Sequence, residues 1–124
     1  MMSDYPESKA TKKVNPRDRV FLFDYSVDTD LTAAINKEHL DICGLRFPAS
    51  FEGTAVTFLE SDTEAGAYNA VWWEGALFTL VCAADKTVMF DPAKLSGLKW
   101  LKLTCAPVVA ADRIVTPIYR DFSG

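Results

Sequence analysis

No stretch of this chain keeps apolar residues at a 3.6-residue spacing for the ~10–12 residues that a convincing helix needs. What recurs instead are short apolar runs, broken at close intervals by turn residues. They are Val20–Tyr25, a weaker Leu31–Asn36, Leu40–Phe47, Ala55–Glu60, Tyr68–Trp73, Ala76–Cys82, Thr87–Phe90, Leu98–Cys105 and Arg113–Phe122. Pro48 stops the third run, because proline cannot donate to a central ladder. Glu52-Gly53, the polar stretch from Ser61 to Gly66, and Asp85-Lys86 supply turn chemistry. Asp91 and Pro92 read as the cap and first position of one short helical turn near Pro92–Ser96. Short strands with closely spaced turns predict an all-β protein, an antiparallel β-sandwich or jelly roll.

With 124 residues, 49% of them apolar, the chain has the size and composition of one domain whose core needs no metal or disulfide staple. The expected division is an extended arm over residues 1–17 and a single sandwich over 18–124. The arm has no apolar periodicity and is locally basic. Its Tyr5, Lys9, Lys12, Lys13 and Arg17 are candidate contacts to a neighbouring surface. It also lacks an apolar signal core, and no later run approaches the ~18–20 residues of a membrane span. Synthesis in a cytoplasm is the expectation. Cys43, Cys82 and Cys105 are odd in number and form no C-x-x-C pair. Each lies in or beside a strand-like stretch, where a free thiol behaves as a small hydrophobe, so buried thiols are expected over a zinc site or an intersubunit disulfide.

Tyr68–Trp73 and Ala76–Cys82 are joined only by Glu74-Gly75, which is a hairpin signal. With that turn, Trp73 faces Ala76, Trp72 faces Leu77, Val71 faces Phe78 and Tyr68 faces Val81. One face then carries Tyr68, Ala70, Trp72, Leu77, Thr79 and Val81. The other carries Asn69, Val71, Trp73, Ala76, Phe78 and Leu80. Both are largely apolar, whereas a strand pair with one wet side alternates. A sandwich sheet has a single inner face, so the second must meet the arm, the Arg113–Phe122 segment or another chain. Tyr68, Val71, Trp72, Trp73, Phe78 and Leu80 are the candidate interface residues.

Thirteen basic against seventeen acidic residues leave a net charge of −4, which disfavours a general phosphate-neutralising role and a nucleic-acid partner. His39 is the sole histidine and reads as a loop or strand-edge residue. Asp24, Asp28 and Asp30 form an acidic cluster without the glycine and closing glutamate of an EF-hand loop, so turn chemistry and an Asp30 cap are expected. Phosphate-loop, nucleophile-elbow and zinc-helix motifs are all missing, so neither catalytic residues nor a metal or cofactor are expected. Trp72 and Trp73 beside Glu74 offer a different chemistry. Their aromatic plates can stack on a pyranose while the carboxylate accepts its hydroxyls, as in a carbohydrate-binding module. Trp100 is expected to pack in the core or an interface, with Lys99 and Lys102 solvated.

From about Leu31 to Phe122 the chain resembles a family of small structural proteins of tailed bacteriophages. The resemblance is carried by Leu40-Asp41-Ile42, Gly44-Leu45-Arg46-Phe47-Pro48, Phe51 and Thr57-Phe58-Leu59-Glu60-Ser61-Asp62. It continues through Trp73-Glu74-Gly75, Phe90-Asp91-Pro92, Leu98-Lys99-Trp100-Leu101-Lys102-Leu103 and Arg113, and departs at Thr104-Cys105-Ala106-Pro107. The order of pieces is also similar to the galactose-binding, discoidin-like jelly roll. The resemblance implies a virion component that decorates the capsid surface or forms the base of a head spike or fibre. It further implies an oligomer such as a homotrimer, and contact with other virion proteins such as the major capsid protein. A tail or baseplate protein of the same fold is the neighbouring expectation.

Overall fold

The computed structural model describes residues 19–37 and 40–120. The arm with Tyr5, Lys9, Lys12, Lys13 and Arg17 lies outside the described residues, as does His39.

The strands pair in a nested order, first with last and inward from there, always antiparallel. β1 (Phe21–Phe23) pairs with β11 (Arg113–Arg120), and β2 (Ile35–Asn36) with β10 (Trp100–Ala106). β3 (Asp41–Arg46) pairs with β9 (Thr87–Met89). β4 (Ala55–Ser61) takes two short strands on one edge, β5 (Asn69–Ala70) and β8 (Thr79–Val81). Between them β6 (Trp72–Trp73) and β7 (Ala76–Leu77) form a hairpin of their own. Two further pairings, β11 with β3 and β10 with β4, assemble one sheet in the order β1-β11-β3-β9 and another in the order β2-β10-β4 with β5 and β8. That is a jelly roll, the all-β sandwich expected from the strand pattern.

Local chemistry explains the details. Asp91 accepts a hydrogen bond from the Ala93 amide at 3.0 Å, and Pro92–Leu95 forms the expected single turn as a 3₁₀ helix. Pro117 sits in β11, an inner strand, yet β1 ends its pairing at Val115 opposite Phe21. At Pro117 the strand has a neighbour on one side only, which is where a residue without an amide proton is tolerated. Leu31–Asn36 yields less strand than expected, a single bridge from Leu31 to Thr104 followed by β2. No helix follows Asp30, so it caps none.

Aromatic rings link the two layers. Phe58 stacks on Phe78 at 5.5 Å and meets Phe21 and Phe90 edge-on at 6.0 and 5.8 Å. Phe51 bridges Phe23 and Phe47 at 5.8 and 5.0 Å. Leu45, Leu95, Leu101, Leu103 and Val115 fill the space around them with no measurable exposure. Such contacts add roughly 0.5–1.5 kcal/mol per aromatic pair beyond simple burial.

One end of the sandwich is tied by Glu52. Its carboxylate accepts from Arg113 Nε at 3.1 Å and Nη2 at 2.6 Å, and from the Ala110 amide at 3.1 Å. The Arg113 guanidinium holds the Glu52 carboxyl below its ordinary range. A carboxyl with a depressed folded pKa contributes stability that is complete above its unfolded pKa and is lost as pH falls through the folded value. Thermal melts should therefore show Glu52→Gln less stable than the parent at pH 7. The two melting temperatures should converge as pH falls below about 4; a constant gap down to pH 2 would contradict the account.

Candidate functional site

Two hydrogen bonds create the site. The Val71 amide donates to the Phe58 carbonyl at 3.0 Å, and the Phe78 amide donates to the Val71 carbonyl at 2.9 Å. The long hairpin expected from sequence is broken at these residues. Its outer half keeps the expected register, with Trp72 opposite Leu77 and Trp73 opposite Ala76. Its inner halves part and lie end to end along β4, so Tyr68 does not face Val81; Ala70 lies opposite Leu59, and Val81 opposite Ala55. Glu74 and Gly75 have φ of 51° and 83°, the paired left-handed conformation of a type I′ turn. The result is a two-stranded tip rooted by Val71 and Phe78.

Strand alternation then separates the two apolar faces. Val71, Phe78 and Leu80 point inward and are buried in the molecule's own core. Their expected place in an interface is corrected accordingly: the face that seemed to need a partner is the inner face of the sandwich. The opposite face is open. Trp72 is 63% exposed, Leu77 43% and Val81 76%. Tyr68, half-buried, lies on the same outer side, where Lys102 Nζ sits 4.5 Å from its ring centroid and its hydroxyl donates to the Glu64 carbonyl. Half-buried Trp100 extends this face along β10, whose alternate residues Leu101, Leu103 and Cys105 point into the core. Covering an exposed indole such as Trp72 is worth on the order of 2–3 kcal/mol.

Consecutive strand residues point to opposite sides, so Trp72 and Trp73 do not form one stacking plate. Glu74 stands exposed in the turn. Of the expected Trp72, Trp73 and Glu74 constellation, both indoles border one hollow and Glu74 does not line it. The hollow, of about 290 Å³, lies between the hairpin and the 3₁₀ turn, lined by Trp73, Glu60, Lys94, Ser96 and Leu98, with Trp72 also bordering it. Glu60, Lys94 and Ser96 carry no signal in the sequence, because β4 and the 3₁₀ turn meet the hairpin only through tertiary packing.

The remaining candidates resolve into structure. Asp24 accepts from the Ser26 amide and hydroxyl, and Asp28 from the Asp30 amide, which are turn-forming contacts. A hydrogen bond between the Asp28 and Asp30 side chains lowers the first carboxyl and raises the second relative to the ordinary value. Among the described residues no group of three His, Cys, Asp or Glu side chains is placed to hold a metal ion, and no helix is long and apolar enough to cross a membrane. No family model, curated protein or solved structure matches the chain.

All three cysteines are free. Cys82 and Cys105 are buried, and burial pushes both thiols up to about 11, while Cys43 is half-buried. The thiolate is the reactive form. A thiol reagent at pH 8 should therefore label Cys82 and Cys105 only as the protein unfolds, with rates that track denaturant. Full labelling of either within the dead time in native buffer would contradict this burial.

Proposed function

We propose that this chain is a non-enzymatic structural protein of a bacteriophage particle, decorating the capsid surface or forming the base of a head spike or fibre through contacts between subunits. The observation that carries this reading is the open outer face at Trp72, Leu77 and Val81, on a domain whose aromatic core is already closed. An exposed tryptophan paired across the strand with an exposed leucine is a liability to association for a protein that acts alone. The hairpin is suited to docking. Its roots are fixed by Phe58, so little conformational freedom is lost when the tip is covered.

Jelly rolls serve as viral capsid and lectin domains, which agrees with the reading but does not select it, since fold alone does not determine function. The phage particle enters through the sequence resemblance. On that analogy the partners are further copies of this chain, arranged as a trimer, and other virion proteins such as the major capsid protein. The location is the virion surface after synthesis in the host cytoplasm. A tail or baseplate protein would use the same face against a different neighbour.

Light scattering on the size-exclusion eluate of the full chain tests the subunit contact. The parent should elute as an oligomer, and the double variant Trp72→Ala, Val81→Ser should elute as a folded monomer. Loss of one buried indole corresponds to at least about tenfold weaker association. A parent that stays monomeric at high concentration, or a double variant with unchanged stoichiometry, would overturn the proposal.

A further inference from the structure

We infer that the hollow under Trp73 is a saccharide site that takes one neutral pyranose ring. This lies beyond the docking role and uses the side of the hairpin that carries Trp73, with Trp72 on its border. Its volume of about 290 Å³ is at the small end of ligand pockets, suited to a single ring more than to a peptide or nucleotide. The lining combines the three things a sugar needs. Trp73 supplies an aromatic plate whose negative face attracts the polarised C–H groups of a pyranose. Glu60 supplies an acceptor; its carboxylate has no hydrogen-bond or ion-pair partner among the described residues, and thus is available to a hydroxyl. Lys94 and the exposed Ser96 supply donors, and Lys94 is placed by its ammonium lying 4.8 Å from the Phe78 ring centroid.

Charge selects the class of sugar. One carboxylate and one ammonium in the same hollow cancel, so an acidic sugar gains nothing from Lys94 that Glu60 does not oppose. A neutral ring can use both, one as acceptor and the other as donor. Glu60 lies in β4 and Lys94 in the 3₁₀ turn, with Ser96 as that turn's C-cap. Such a shallow site should be weak, with a dissociation constant of roughly 1 mM for a single ring.

The test is saturation-transfer NMR and tryptophan fluorescence on the full chain with galactose, glucose and lactose as probes. At least one should receive saturation and shift the emission. Trp73→Ala should weaken that binding by at least about tenfold, and Glu60→Gln, a near-isosteric change at a half-buried position, by several-fold. Val81→Ser, on the opposite face, should leave it unchanged. Should Trp73→Ala fail to fold, Glu60→Gln decides. No transfer to any of the three sugars, or Glu60→Gln binding as tightly as the parent, would overturn the inference while leaving the docking role untouched.

Discussion

Phe58 sets the shape of the functional end of this molecule. Its ring is buried against Phe21, Phe78 and Phe90, and its carbonyl takes the Val71 amide at the point where the chain leaves the edge of β4. A continuous strand would have run the length of that edge and kept its residues in the sheet. Because the edge is divided between β5 and β8, the chain steps out at Val71, turns at Glu74-Gly75 and steps back at Phe78. Val71 and Phe78, the hairpin residues that meet Phe58, are both buried. Burial of each is worth about 1.5–3 kcal/mol, so the tip is anchored by the same contacts that close the sandwich.

From that anchorage follows a division of labour between neighbouring residues. Trp72 and Trp73 are adjacent in the chain and both border the hollow, but only Trp72 also belongs to the open outer face. Trp72 joins Leu77 and Val81 on an open sheet face, suited to another protein surface. Trp73 turns toward Glu60, Lys94 and Ser96, a mixed polar and aromatic hollow suited to a small ligand. The type I′ turn is a tight joint between the two sides, with Glu74 in a left-handed conformation more usual for asparagine or glycine.

Much of the fold was legible because strand periodicity is a local property. The apolar runs, the Asp91-Pro92 turn, the Glu74-Gly75 link and the register of Trp72 with Leu77 all follow from residues within a few positions of each other. The outward set Tyr68, Ala70, Trp72, Leu77, Thr79 and Val81 was likewise legible, since alternation survives the break at Val71. What could not be read was anything that depends on which strand lies beside which. Val71, Phe78 and Leu80 looked like a second sticky face because the sequence does not say which side of a sheet meets the core. Glu60 and Lys94 are 34 residues apart and share a hollow only after β4 and the 3₁₀ turn are packed. Lys37 is a further case. It is 1% exposed, its ammonium donating to the Leu40 carbonyl at 3.1 Å and lying 3.8 Å from Asp41, and nothing in its neighbourhood marks it as buried.

On the proposed docking role the outer face around Trp72 is covered on assembly, while the core face of the same hairpin is covered already. Hydroxyl-radical footprinting of the full chain, dilute and then assembled, reads this directly at single residues. Trp72, Leu77 and Val81 should oxidise strongly in the dilute protein and be clearly protected on assembly, with Phe78 and Leu80 protected throughout. Equal oxidation of Trp72 in the dilute and assembled states would contradict that role.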